Sequence, residues 1–269
     1  MIYGTAWKEE KTEVFVRQAL EAGFRAIDTA NQRKHYYEEG VGRAIQEFLK
    51  TKKCMRSDLF IQTKFTFARG QDHRKPYDES ASYADQVRQS FKSSLEHLGL
   101  SYLDSLVLHG PYYRSGIGAE DLEAWGEMEK LFEQGHVKAL GVSNIDRRQL
   151  ERLCEVARVK PKYVQNRCFA VQGWDFEARE FCNDNGLLYQ GFSLLTANRT
   201  ELSHPQVLGL ARKYGKSVPQ IIFRFSIQVG MIPLTGTTST EHLKQDLDIE
   251  DFTLSPSEIE DIEWIAQKM

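Results

Sequence analysis

Short apolar runs alternate with amphipathic stretches along the whole chain. Eight of the runs read as strands: Ile2–Ala6, Ala26–Asp28, Leu59–Lys64, Ser105–His109, Ala139–Val142, Tyr163–Asn166, Leu187–Phe192 and Met231–Leu234. Their small, β-branched and apolar residues suit strands buried on both faces. Between the runs, apolar residues recur at helical spacing. Val87, Phe91, Leu95 and Leu98 form one such stripe, with Gly99 where a C-terminal cap belongs. Val14, Ala19, Leu20 and Ala22 line another that Gly23 closes, and Leu122, Trp125, Met128, Leu131 and Phe132 a third, followed by Gly135. Leu150, Leu153 and Ala157, then Phe176–Phe181, Val207–Tyr214 and Pro219–Phe225, continue the series. A short helix is expected near Glu241–Leu247 and a last one near Ser255–Ala266. There Ser255-Pro256-Ser257-Glu258 places Ser at the cap, Pro just inside and Glu at the third helical position.

Strand–helix alternation repeated about eight times, without a linker or low-complexity stretch, predicts a parallel sheet. Eight units in 269 residues favour a closed barrel over an open sheet. The expected fold is therefore α/β, a single (β/α)8 TIM barrel forming one domain over residues 1–269. No GxGxxG follows the first strand, so a Rossmann nucleotide domain has little support. In a closed barrel the C-terminal strand ends converge on one face, and chemistry is sought there.

Composition narrows the function classes. Hydrophobic residues are 41% and charged residues 27%, as in soluble globular chains, and the net charge of −3 gives no basic excess for nucleic acid. No apolar run approaches the roughly 18 residues that span a bilayer, and no h-region of a secretory signal opens the chain. Cys54, Cys154, Cys168 and Cys182 form no CxxC pair and read as free thiols, which with the missing signal predicts a cytoplasmic protein. Nucleic-acid and membrane partners are not expected, no metal is expected, and the oligomeric state is left open.

Three ionisable residues close three consecutive strands. Asp28 ends the second, Lys64 the third and His109 the fourth. Tyr36 and Tyr37 follow Asp28 in the next loop. A free tyrosine, with a pKa of about 10, is a reluctant proton donor. An adjacent ammonium favours the phenolate and is expected to lower that value, while an Asp keeps the ammonium charged and placed. A neutral His then orients a carbonyl oxygen. Such a set protonates an oxygen as hydride arrives at carbon. A metal-dependent hydrolase would need further His or carboxylate partners at the strand ends, and His109 has no strand-end His partner.

The stretches Gly-Phe-Arg-Ala-Ile-Asp28-Thr-Ala, His-Tyr36-Tyr-Glu-Glu-Gly-Val-Gly42, Gln-Thr-Lys64-Phe, Leu-His109-Gly-Pro and Gly-Val-Ser143-Asn144, in this order, resemble the aldo-keto reductases over nearly the whole chain. The Lys-His-Tyr loop, Gly70–Asp78, Gln165-Asn-Arg167 and Leu-Leu-Thr-Ala-Asn198 resemble a fungal-type branch. The resemblance implies a catalytic set of Asp28, Tyr36, Lys64 and His109, with Tyr37 as the competing register for the tyrosine. It implies reduction of a small carbonyl substrate by NADPH, with NADH or dual use open because Leu234 stands where many members carry a lysine. Cofactor contacts implied are Thr5, Asp28, Ser143, Asn144, Gln165, Phe192, Ser193, Leu195, Thr235, Gly236, Thr237 and His242. Trp7, Phe65, Tyr112, Phe169 and Trp174 follow strand ends and are candidates to line the substrate pocket. The Thr66–Ser82 run reads as a lid. The alternative reading is a catalytically weak, cofactor-binding regulatory subunit on the same fold.

Overall fold

Every run expected to be a strand becomes one, with small changes at the ends. In the computed structural model, which describes residues 1–268, the strands are β1 (Ile2–Gly4), β2 (Ala26–Asp28), β3 (Phe60–Phe65), β4 (Ser105–Leu108), β5 (Leu140–Ser143), β6 (Tyr163–Arg167), β7 (Leu188–Phe192) and β8 (Met231–Thr235). They follow one another in sequence order as a closed barrel. The helices are α1 (Thr12–Ala22), α2 (Glu38–Lys50), α3 (Tyr83–Leu98), α4 (Ala119–Glu133), α5 (Arg147–Val156), α6 (Phe176–Asp184), α7 (Arg199–Leu202), α8 (Pro205–Tyr214), α9 (Val218–Gln228), α10 (Thr240–Leu247) and α11 (Pro256–Glu263). The four-residue α7 is too short to show a period in the sequence. Among the described residues no helix is long and apolar enough to cross a membrane.

The backbone groups into two compact units, Ile2–Val164 and the chain from Gln165 onward. In the first, strands pair in parallel, with Asp28 beside Gln62 and Lys64 beside Val107. Ile27, Ile61, Leu106, Val107, Leu108, Leu140 and Val142 are all buried, the signature of strands covered on both faces. Strand period two puts Gln62 and Lys64 on the same face of β3, and both side chains reach Asp28. β1 is shorter than its apolar run because Thr5 turns both its N–H and its hydroxyl to the carbonyl of Asp28, at 3.0 and 2.9 Å. Helix ends follow the local chemistry. Ser82 caps α3 by accepting from the Asp85 N–H, and Gly99 closes it at φ 65°. Asp146 caps α5 through the Gln149 N–H. Gly42 on α2 is a packing requirement: a Cβ there would stand 2.1 Å from the His97 carbonyl oxygen and 2.8 Å from the Leu98 Cα.

In the second unit β7 and β8 pair in parallel, with Gly191 opposite Pro233. Trp174 belongs to this unit's core. It is fully buried, packs on Phe225 and donates Nε1–H to the Ile262 carbonyl at 2.9 Å. It therefore anchors α11 and does not line a substrate pocket.

Gly42→Ala is expected to cost about 3 kcal/mol, the upper end for overpacking, because backbone atoms must move. In thermal unfolding that lowers Tm by roughly 6–12 °C. Gly126→Ala in α4, where a Cβ meets nothing within 4 Å, is expected to raise Tm slightly through helix propensity.

Candidate active site

The Lys64 ammonium is buried at the end of β3 and needs an acceptor for each of its three protons. The Asp28 carboxylate accepts with both oxygens, Oδ1 at 2.7 Å and Oδ2 at 2.6 Å, and the Thr29 carbonyl accepts at 2.9 Å. Gln62 Nε2 donates to the same Asp28 Oδ1 at 2.7 Å and fixes the carboxylate plane. Gln62 was not singled out from sequence, although its place two residues before Lys64 on one strand marks it as a same-face neighbour.

The loop between β2 and α2 brings Tyr36 over this pair. Its backbone N–H bonds the Gln32 carbonyl at 3.0 Å, and its ring centroid lies 5.1 Å from Lys64 Nζ. The ring meets His109 edge-on, with centroids 5.9 Å apart. Tyr37 goes elsewhere. Arg33 and Arg43 lie 4.2 and 5.3 Å from its ring, and Arg43 donates to its hydroxyl at 3.5 Å. The geometry thus joins Asp28, Tyr36, Lys64 and His109 and leaves Tyr37 outside the group.

Electrostatics correct one expectation. Lys64 does not lower the Tyr36 phenol. Burial, then the Asp28 charge, push it well above the usual tyrosine value. Burial lowers the Lys64 pKa while Asp28 holds it up. His109 is driven well below the ordinary histidine value, first by burial, then by the Lys64 charge, and is neutral. Its Nδ1 is 2.7 Å from Thr66 Oγ1, and its backbone N–H bonds the Phe65 carbonyl at 2.9 Å.

Glu38 begins α2 two residues after Tyr36 and is buried. Thr63, immediately before Lys64, donates its hydroxyl to Oε1, Ser94 Oγ lies 3.1 Å from both carboxylate oxygens, and His97 Nδ1 is 3.1 Å from Oε2. The carboxylate ties the Tyr36 loop to β3 and α3, and its hydrogen bond raises the His97 pKa. A pocket of ≈ 370 Å³ extends past Glu38, Glu39, Ser93 and His97 to Tyr36.

The other candidates fall as follows. Asn144 is exposed at φ 52°, with Nδ2 donating to the His109 carbonyl at 2.7 Å and to Ser143 Oγ at 3.0 Å. Ser143 is buried. Trp7 is 72% exposed and stacks on His35, with centroids 3.9 Å apart. Phe65 is buried against Phe67 and Tyr77, so it packs beneath the loop that follows it and is closed to a substrate. Tyr112 is half-buried, edge-on to Phe67 and Tyr83. The Thr66–Ser82 run is anchored where a free lid was expected. Gln32 Nε2 donates to the Gly70 carbonyl at 2.6 Å, Gln71 Nε2 to the Asn31 carbonyl at 2.8 Å, and the Tyr77 hydroxyl to the Thr66 carbonyl at 2.7 Å.

In the second unit Gln165 Nε2 donates to Gln190 Oε1 at 2.9 Å. Phe192 is half-buried, and Arg167 lies 5.8 Å from its ring and 5.9 Å from that of Phe169. Ser193 takes φ 58°, and Leu195 beyond it is half-buried. The turn after β8 is built by hydroxyls. Thr235 Oγ1 donates to Asp246 Oδ2 at 2.7 Å, and Thr237, just past Gly236, places Oγ1 3.5 Å from His242 Nδ1. Burial lifts the Asp246 carboxyl to about 6.

Comparison with known proteins agrees with this geometry. The sequence model described as "Aldo/keto reductase family" matches residues 1–267. The chain is 31% identical to the uncharacterized oxidoreductase YtbE of Bacillus subtilis over 263 residues, covering 97% of this chain and 86% of that protein. It is 31% identical to the glyoxal reductase of the same organism over 249 residues, covering 92% and 81%. A Bombyx mori aldo-keto reductase solved in complex with NADP superposes with a TM-score of 0.82 at 27% identity, covering 98% of this chain and 88% of that one.

Asp28→Asn leaves the Lys64 charge buried without its counter-ion and is expected to cost about 3–5 kcal/mol in denaturant unfolding. Replacing both, as Asp28→Leu with Lys64→Met, is expected to recover most of that loss, because no lone charge remains. His97 adds a pH-dependent increment. Its folded pKa lies above the unfolded value, so its bond to Glu38 stabilises fully below about pH 6.5 and fades as pH rises through the raised folded pKa. The Tm gap between wild type and His97→Gln is therefore expected to be wider at pH 6 than at pH 9.

Proposed function

The chain belongs to the aldo-keto reductase family and is an NAD(P)H-dependent oxidoreductase, and on that premise we propose that it reduces aldehydes or ketones to alcohols with Tyr36 as proton donor. The observation that carries this reading is the placing of the Tyr36 ring over the closed Lys64–Asp28 pair and against His109. When bound, the nicotinamide supplies hydride to the carbonyl carbon. The protein's own groups handle the oxygen. His109 is neutral and lies 2.7 Å from Thr66 Oγ1 through Nδ1; in this reading Thr66 donates to Nδ1 and the ring proton on Nε2 hydrogen-bonds and orients the carbonyl oxygen. Tyr36 has a raised pKa and stays protonated at neutral pH. The alkoxide that forms as hydride arrives is a stronger base than a phenolate and takes the Tyr36 proton. Solvent then returns a proton to the tyrosine. Asp28 and the Thr29 carbonyl hold the Lys64 ammonium 5.1 Å from the Tyr36 ring centroid, where its charge acts on the tyrosine.

The residues fit a nicotinamide nucleotide. The exposed Asn144 uses both printed Nδ2 contacts within the protein, while its Oδ1 has no partner among the described residues and suits a carboxamide N–H. Ser143 and Gln165 complete the amide-binding set that the family resemblance implies, with Phe192 against the ring face and Thr5 near the ribose. Ser193, Leu195, Thr235, Gly236, Thr237 and His242 serve the rest of the nucleotide. NADPH is the expected cofactor, as the NADP complex of the Bombyx mori relative supports.

The test is consumption of NADPH and NADH with a panel of small aldehydes and diketones, followed by loss of reduced-nicotinamide absorbance. Turnover with NADPH is expected. Tyr36→Phe should lose about 10²–10⁴-fold in kcat, the usual worth of a positioned acid, while NADPH binding by fluorescence quenching persists. Tyr37→Phe should stay active. Loss of activity in Tyr37→Phe with retention in Tyr36→Phe would overturn the assignment.

A further inference from the structure

The residue before Tyr36 is unusually well defined for a loop histidine. The His35 ring stacks on Trp7 at 3.9 Å with 39° between planes, and the two residues are joined by the Trp7 N–H donating to the His35 carbonyl at 2.7 Å. Its Nδ1 lies 2.8 Å from Gln32 Oε1. The orientation of that amide is determined by its other end. Gln32 Nε2 is 2.6 Å from the Gly70 carbonyl, and a carbonyl only accepts, so the nitrogen faces Gly70 and the oxygen faces His35. An amide oxygen only accepts too, so Nδ1 must carry the proton. Burial and the neighbouring Lys34 charge oppose a second proton more than Asp72 favours one, so the ring is neutral at pH 7. Nε2 is then a bare acceptor, and it has no hydrogen-bond partner among the described residues. The ring is also close enough to His109 that a charge on it would oppose protonation there.

We infer that His35 is a specificity residue of the reductase site, its Nε2 accepting a hydrogen bond from a hydroxyl that the substrate carries beside the carbonyl, while the exposed Trp7 face receives the carbon skeleton. This rests on the carbonyl-reductase reading, because that reading places the carbonyl oxygen at Tyr36 and His109. Tyr36 and Thr66 supply the donors His109 and the substrate oxygen need, and His35 Nε2 supplies an acceptor beside them. Sites built to hydrogen-bond a substrate hydroxyl discriminate against the analogue lacking it.

The experiment compares lactaldehyde with propanal, which differ by that hydroxyl alone, as the ratio of their kcat/KM values with NADPH. Wild type is expected to favour lactaldehyde. His35→Phe keeps a ring for Trp7 to stack on but removes the acceptor, and should lower the ratio about tenfold or more. Gln32→Met removes the partner that holds the proton on Nδ1 and should lower the ratio as well. A wild-type ratio at or below one, or a ratio unchanged within twofold in His35→Phe, overturns the inference while propanal turnover leaves the reductase reading standing. Failure of wild type to reduce either aldehyde with NADPH or NADH overturns both.

Discussion

A single buried cation governs this structure. The Lys64 ammonium has left water, and that desolvation is tolerable only because the Asp28 carboxylate and the Thr29 carbonyl accept from it within 3 Å. The demand propagates outward. Asp28 must stand at the end of β2, so β1 ends with Thr5 clamping the Asp28 carbonyl. Gln62 must lie beside Asp28, which the β2–β3 register provides. The backbone N–H of Asn31 bonds the Lys64 carbonyl at 3.2 Å, turning the chain toward the loop that carries Tyr36. A second buried carboxylate, Glu38, then fastens that loop to β3 and α3. The two acidic groups do different work, Asp28 balancing a charge and Glu38 joining three segments.

Burial and the Asp28 charge both hold Tyr36 as the phenol. His109 is kept neutral by burial and by the Lys64 charge.

Much of this was legible in the sequence. Alternation of buried strands and amphipathic helices gave the barrel, because parallel strands covered on both faces leave continuous apolar runs. Asp28, Lys64 and His109 stood out as ionisable residues closing three such runs. What escaped was whatever depends on register or on the balance of charges. Gln62 and Thr66 are ordinary polar residues until the strands are paired. The rise in the Tyr36 pKa depends on burial and on the nearness of Asp28, and no spacing reveals either. Trp174 and Phe65 follow strand ends as pocket-lining aromatics do, but each turns inward, one to hydrogen-bond Ile262 and the other to pack on Tyr77. Which of Tyr36 and Tyr37 faces Lys64 and His109 depends on the path of the loop, which the sequence does not show.

Asp28, Tyr36, Lys64 and His109 sit on strands or loops adjacent in both space and sequence. The Lys64–Asp28 contact spans 36 residues and the His109–Thr66 contact 43, each about one strand–helix–strand unit. Loop closure over such distances is cheap compared with joining remote parts of a chain. Translation runs from the N-terminus, so a ribosome has released every one of these four side chains before it reaches Gln165, Phe192 or the turn after β8. The nascent chain thus holds these four side chains, together with Thr5, Ser143 and Asn144, before Gln165, Phe192 and the turn after β8 are made.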